Sequence, residues 1–137
     1  MMQEVSAPEP SDDVRTRVVI VDDNTAGAET LAMLLDMLGY ECEVAHTGKT
    51  AIEACHRAPP RVVLLDLCLP DMSGFTVAQD LRSSPDTKDA RIIALSGTSP
   101  DRESPEHEGN FDYRLTKPVS IEALEDLLKK TAASPQM

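Results

Sequence analysis

The run Val62-Val63-Leu64-Leu65 constrains this chain more than any other stretch. Four consecutive apolar residues fit a strand buried on both faces, as in a parallel sheet. The run closes on Asp66 and soon breaks into Pro70-Asp71-Met72-Ser73-Gly74, a turn-forming composition. An aspartate at this point has two readings. It starts turns and caps helices for local reasons, and it also stands where open α/β sheets build ligand sites, at the carboxyl end of a strand. The other strand ends decide between them.

Similar punctuation recurs along the chain. Arg17–Val21 reads as a first strand ending in Asp22-Asp23-Asn24, and Leu31, Leu34, Leu35 and Leu38 follow at helical spacing. Asn24 or Thr25 would cap that helix and Gly39 would end it. Glu41–Ala45 reads as a short, weaker strand. Thr47–Arg57 reads as a helix burying Ala51, Ala54 and Cys55, stopped by Pro59-Pro60. After the strand Arg61–Asp66 comes a helix over Gly74–Ser83, with Phe75, Ala78 and Leu81 on one face. Arg91–Leu95 is a fourth strand, leading into Ser96-Gly97-Thr98, and Phe111–Leu115 a fifth, leading into Thr116-Lys117-Pro118. Ser120 would cap a last helix with Ile121, Leu124, Leu127 and Leu128 inward and Lys129-Lys130 at its negative end. Alternating strands and helices predict an α/β fold, a doubly wound five-stranded parallel sheet with right-handed crossovers. The polar residues 1–16 are expected to be a disordered leader or linker, 17–132 one domain, and 133–137 a tail.

Composition narrows the function. A formal net charge of −11 argues against binding a phosphate backbone or an anionic membrane surface. With aromatics at 3% and no Trp, the core must be aliphatic. No apolar run is long enough to span a bilayer, and the acidic N-terminus does not read as a signal peptide. Cys42, Cys55 and Cys68 lack C-x-x-C spacing and are expected to be reduced thiols. A cytoplasmic, monomeric protein is the expectation. His46, His56 and His107 show no ligand spacing and are expected at the surface. Asp71 is expected to shape its turn, and Met33 and Met37 to be core or near-core fillers.

In a doubly wound sheet the carboxyl ends of all strands share one edge. That edge would collect Asp22 and Asp23, Asp66, Ser96 and Lys117. Clustered carboxylates repel unless a cation intervenes. Hard oxygen ligands suit Mg²⁺, which would let Asp66 approach a phosphoryl group and act as a carboxylate nucleophile. Lys117 and the Ser96 hydroxyl would then stabilise the transferring group, with Gly97 leaving room for its oxygen.

These residues resemble the receiver domain of two-component response regulators. The resemblance rests on Asp22-Asp23, on Asp66 within Leu64-Leu65-Asp66-Leu67-x-Leu69-Pro70-Asp71-Met72-x-Gly74, on Ser96-Gly97 and on Lys117-Pro118, and it covers about residues 17–132. It implies a (βα)5 flavodoxin-like receiver fold, from a single-domain regulator or a hybrid histidine kinase. It also implies that Asp66 accepts a phosphoryl group from a phosphohistidine on a histidine kinase or histidine phosphotransfer protein. Asp23, Asp66 and the Cys68 backbone carbonyl would ligate Mg²⁺ (or Mn²⁺), with Asp22 acting mainly through a water. Ser96 would be the switch hydroxyl, Lys117 the phosphoryl partner, and the Lys117-Pro118 bond cis. Such a protein is a phosphoacceptor, not an enzyme in its own right, catalysing only its own phosphorylation and dephosphorylation.

The sequence departs from the family in two places. The aromatic switch position three residues before the lysine holds Arg114, with Tyr113 beside it, and alternation along a strand puts the two on opposite faces. The family's fourth helix corresponds to Ser99–Asn110, where Pro100, Pro105 and the lack of an apolar stripe predict a short or poorly formed helix. Output through a partner bound to the first helix and site loops is therefore expected in place of a switched dimer. Cys68, two residues past Asp66, is expected to be a small loop filler; the competing reading is that its side chain, with Thr98, influences water access and so the lifetime of the phosphoryl bond. Two alternatives remain: an interaction module that is never phosphorylated, and an Asp-nucleophile phosphohydrolase. Cys68 stands where such a hydrolase has its acid/base, which argues against the latter. No DNA-binding domain is read in the sequence, so no nucleic acid is expected as a partner.

Overall fold

A computed structural model of the chain describes residues 15–97 and 110–133, the last three as backbone only. Five strands form one parallel sheet: β1 (Arg17–Val21), β2 (Glu41–Ala45), β3 (Val62–Asp66), β4 (Arg91–Ser96) and β5 (Tyr113–Thr116). They lie side by side in the order β2-β1-β3-β4-β5. The chain runs outward from β1 to β2 and then returns across β1 to β3. The loops after β1 and β3 therefore diverge, which opens a crevice at the carboxyl ends of these two strands.

Among the described residues there are four helices: α1 (Thr25–Met37), α2 (Gly48–Arg57), α3 (Gly74–Arg82) and α4 (Ile121–Ala133). Strand alternation sorts them into two layers. Val19, Val21, Val63, Leu65 and Ile92 pack against α2 and α3 through Ala51, Cys55, Val77, Ala78 and Leu81. Val18, Ile20, Val62, Leu64, Ile93 and Leu95 pack against α1 and α4 through Ala28, Leu35, Leu124 and Leu128. Every residue of Val62–Leu65 is fully buried, as a strand covered on both faces requires.

Local chemistry sets the helix starts. Asn24 accepts from Gly27 N at 3.0 Å, Ser73 from Phe75 N at 3.0 Å and Ser120 from Ala123 N at 3.2 Å. Thr47 and Thr50 form a reciprocal capping box at the head of α2. Gly39 takes φ of +103° just beyond α1, a conformation open to glycine at little cost.

Several expectations need correction. Met33 and Met37 do not fill the core: they are 62% and 76% exposed, and Leu34 and Leu38 are 40% and 45% exposed. The apolar arc of α1 is wider than the seam it presents to the sheet, and spacing alone cannot tell which part of the arc faces inward. In α3, Val77 joins Ala78 and Leu81 in the buried stripe, while Phe75 is half-buried and packs edge-on against Phe111 at 5.5 Å. Phe111 consequently precedes β5, which begins at Tyr113. His46 and His56 are half-buried, with His56 Nε2 3.0 Å from Asp80 on α3. The expectations for the leader up to residue 14, for residues 98–109 (His107, Thr98 and the short fourth helix) and for the tail from residue 134 fall outside the described residues.

Candidate functional site

Five of the sequence-selected groups meet at the carboxyl edge of the sheet. Asp22 follows β1, Asp66 ends β3 and Lys117 follows β5. Lys117 Nζ lies 3.1 Å from Asp22 Oδ2 and 3.1 Å from Asp66 Oδ2. Asp22, Asp23 and Asp66 each offer an oxygen, and these oxygens all lie within 4.8 Å of one another. Ser96 closes β4 at the same edge, 2% exposed, and its carbonyl accepts the Lys117 amide at 2.7 Å. That bond fixes where the lysine leaves the sheet. The Lys117-Pro118 bond is cis.

The two buried acids are oriented in the same way. Asp22 Oδ1 accepts Asn24 N at 3.0 Å, and Asp66 Oδ1 accepts Cys68 N at 3.0 Å. Each is a local turn in which the side chain takes the amide two residues on. In each, Oδ2 is turned towards Lys117. Burial pushes the Asp66 carboxyl above its ordinary range, although the Cys68 amide and Lys117 pull it back, and the Asp22 charge adds to the rise. Burial also opposes the charge on Lys117, but its bonds to Asp22 and Asp66 outweigh this and raise its pKa.

Three carboxylates and one ammonium leave a formal charge of −2. Like charges about 4 Å apart repel by about 4 kcal/mol at the dielectric typical near a protein surface. Lys117 relieves the Asp22–Asp66 pair, while Asp23 is exposed beside them. Hard oxygen donors with a residual double negative charge fit a small divalent cation such as Mg²⁺.

The loop after β3 is tied at its base. Gly74 N donates to Leu67 O at 3.0 Å, and Cys68 bridges Ser73 in antiparallel fashion. Cys68 itself is exposed. Gly74 is needed for close approach, since a Cβ there would lie 2.5 Å from Asp66 O. Asp71 does more than shape its turn: it accepts Gly48 N at 2.8 Å and Lys49 N at 3.0 Å, at the start of α2. His46 Nδ1 lies 3.0 Å from the carbonyl oxygen of Asp22. Sequence reading missed both contacts, and no local spacing signals a reach of 23 or 24 residues.

Tyr113 pairs with Ile93 and Arg114 with Ala94 in unbroken register. Tyr113 packs with Leu115 on the α1/α4 side, so Arg114 points to the opposite face, as alternation requires. Beside Lys117, a groove of about 560 Å³ runs between α1 and the segment after β5, lined by Leu31, Leu34, Val119 and Ile121.

Comparison with known proteins places the chain in a family. The response regulator receiver domain matches residues 18–129, and the chain belongs to that family. It is 37% identical over 121 residues to the probable transcriptional regulatory protein TcrX of Mycobacterium tuberculosis, covering 85% of this chain and 51% of that protein. The chain thus spans about half the length of such curated relatives. A CheY-like receiver domain structure from Methylobacillus flagellatus superposes with a TM-score of 0.79 at 35% identity, covering 86% of this chain and 99% of the other. The response regulator TrrA of Thermotoga maritima, in complex with Mg²⁺-BeF, superposes with a TM-score of 0.76 at 31% identity, over 85% and 98% of the two chains. Receiver domains are signalling phosphoacceptors of two-component systems, and an Mg²⁺-binding aspartate site is typical of them. Among the described residues no helix is long and apolar enough to cross a membrane.

Proposed function

We propose that residues 17–132 act as one receiver unit in a phosphorelay, with Asp66 accepting a phosphoryl group from a phosphohistidine of a histidine kinase or histidine phosphotransfer protein. The observation that carries this reading is the Lys117 ammonium held at 3.1 Å from both Asp22 and Asp66, with Asp23 completing the acid cluster. In the transfer, an Asp66 oxygen bonds to phosphorus as the phosphorus–nitrogen bond breaks, and the electron pair leaves on the donor imidazole. Asp22, Asp23, Asp66 and the Cys68 carbonyl would hold Mg²⁺, or Mn²⁺ through the same oxygen donors, and the ion would offset the charge of the phosphoryl group. Lys117 is placed to follow the new negative charge, and the Ser96 hydroxyl to donate to a phosphoryl oxygen. Hydrolysis of the aspartyl phosphate is assigned to the same residues.

The partner is proposed to dock on α1 and the site loops. The groove beside Lys117 and the exposed Met33, Leu34, Met37 and Leu38 support this, since contiguous exposed apolar side chains mark interaction surfaces. Arg114 at the aromatic switch position supports output without a switched dimer. Phosphorylation-dependent dimerisation in light scattering would count against that part.

Incubation with Mg²⁺ and acetyl phosphate, followed by intact-mass analysis, tests the chemistry. One hydroxylamine-labile phosphate adduct is expected, absent in Asp66→Asn. No adduct from acetyl phosphate or from any phosphohistidine donor would reject the reading, and turnover of unrelated phosphate esters would favour a hydrolase.

A further inference from the structure

We infer that Asp71 is a positioning residue for the metal-holding cluster, and that the β2–α2 turn is a strut joining the loops that follow β1 and β3. The inference rests on the reading of Asp22, Asp23 and Asp66 as the metal-holding residues.

The two loops diverge from β1 and β3, so neither strand pairing nor chain continuity fixes one against the other beyond the sheet edge. Residues 46–49 touch both. His46 Nδ1 lies 3.0 Å from the Asp22 carbonyl oxygen, and a carbonyl partner requires the proton to sit on that nitrogen. Two residues on, the amides of Gly48 and Lys49 donate to Asp71 Oδ1 at 2.8 Å and Oδ2 at 3.0 Å. One carboxylate thus takes two neighbouring amides that have no partner within the helix, at the positive end of its dipole.

The start of α2 does not depend on Asp71 alone. Thr47 Oγ1 already accepts Thr50 N at 3.1 Å, and Thr50 Oγ1 accepts Thr47 N at 3.3 Å. What Asp71 adds is a tie between the helix and the tip of the Leu67–Ser73 loop. The base of that loop is closed by the Gly74–Leu67 and Cys68–Ser73 contacts, and its first limb follows directly on Asp66 and carries Cys68. With the tip released, that limb is held at the base alone, and the Cys68 carbonyl loses its fixed position beside the carboxylates. Outer contacts of this kind set metal affinity because they preset donor positions.

Asp71 is exposed, so its replacement leaves the core intact. The test compares Asp71→Ala, Asp71→Asn and Thr47→Ala in the full chain, with urea unfolding to establish that each is folded. Mg²⁺ affinity is read by calorimetry, and the Gly48 and Lys49 amides by NMR. Asp71→Ala is expected to weaken Mg²⁺ binding about tenfold and to shift both amides. Asp71→Asn is expected to lose less, because its amide oxygen keeps an acceptor for one of the two donors. Thr47→Ala removes a cap from the same helix and is expected to lower stability without weakening Mg²⁺ binding. Unchanged affinity in Asp71→Ala, or equal loss in Thr47→Ala, would overturn the inference while leaving the function intact. A wild-type chain that binds no Mg²⁺ would reject the metal reading and this inference together.

Discussion

Replacing Gly74 by alanine sets one methyl group against the backbone of the proposed phosphoacceptor. The Cβ would lie 2.5 Å from Asp66 O, 2.8 Å from Leu67 Cα and 3.2 Å from Asp66 C. Ordinary contact begins at 3.4 Å, so the Asp66 oxygen would have to yield 0.9 Å (3.4 − 2.5). All three neighbours are backbone atoms, and Gly74 N is bonded to Leu67 O at 3.0 Å, so the strain has no flexible side chain in which to dissipate. Overpacking of this kind costs about 1–3 kcal/mol, and misplacing a reacting group by about 1 Å can cost about 100-fold in rate. Gly48 is the control. A Cβ there would press on Met72 Cγ and Sδ, the adaptable part of a methionine, and meet Val77 at 3.1 Å. The expected outcome in urea unfolding is a loss of about 1–3 kcal/mol for Gly74→Ala and less than about 1 kcal/mol for Gly48→Ala, where alanine's helix propensity offsets the crowding. In an intact-mass time course with acetyl phosphate and Mg²⁺, Gly74→Ala should form the adduct at least about tenfold more slowly, and Gly48→Ala, which presses chiefly on a side chain of the same loop, should lose less. A fully folded Gly74→Ala protein phosphorylated at the wild-type rate would refute the reasoning, since the strain would then be absorbed in α3 and not at Asp66.

Three further perturbations follow from the same contacts. Arg82 ties α3 to the approaches of β4 and β5 through the carbonyls of Lys88 (2.7 Å), Ala90 (2.6 Å) and Asn110 (3.2 Å) and through Asp112 (2.9 Å). Arg82→Ala should cost about 2–4 kcal/mol in urea unfolding, and Arg82→Lys should recover little, because a point-like ammonium cannot reproduce the fork. Glu43 bonds Arg17 at 2.6 Å and also pairs with Arg57; these bonds, Arg17's foremost, hold its carboxyl below the ordinary range against burial. A depressed folded value stabilises above the unfolded pKa of about 4.3 and is lost as pH falls through the folded value. The thermal stability gap between wild type and Glu43→Gln should therefore be present above the unfolded pKa of about 4.3 and close as pH falls below it, and a gap constant with pH would contradict the assignment. Lys117→Met leaves three carboxylates without their ammonium. It should destabilise the metal-free protein by about 1–3 kcal/mol, less than for a fully buried pair because Lys117 is 30% exposed, and Mg²⁺ should raise its unfolding midpoint more than that of wild type.

How much of this was legible in the sequence depends on range. Strands buried on both faces wrote themselves as continuous apolar runs, and residues at their ends fell on one edge because parallel strands share a direction. Helix caps were legible for the same reason: Asn24 and Ser120 act within three residues of themselves. The contacts that escaped are those in which a residue acts far along the chain. Asp71 reaches the start of α2, His46 reaches Asp22, and Arg82 gathers the two segments that lead into β4 and β5, none of them marked by a local pattern. Met33 and Met37 escaped differently, because the apolar arc of α1 exceeds what the sheet can cover. A surplus of that kind is indistinguishable from core until the facing layer is known.

Asp66 shows why the local and functional readings of a single residue need not compete. Its Oδ1 does what any aspartate at a strand end does, accepting the amide two residues on and starting the turn. Its Oδ2 meets Lys117, 51 residues away in sequence. The turn bond prevents free rotation of the carboxylate and so aims the second oxygen into the crevice. Asp22 repeats the arrangement through Asn24 and the same lysine. The turn chemistry that made Asp66 look ordinary is thus what orients it, and the two readings describe the two oxygens of one carboxylate. Substitution by asparagine separates them: the amide keeps an oxygen for Cys68 N and loses the charge facing Lys117. Asp66→Asn should therefore keep the fold and its turn while forming no phosphate adduct, whereas Asp66→Ala should forfeit both.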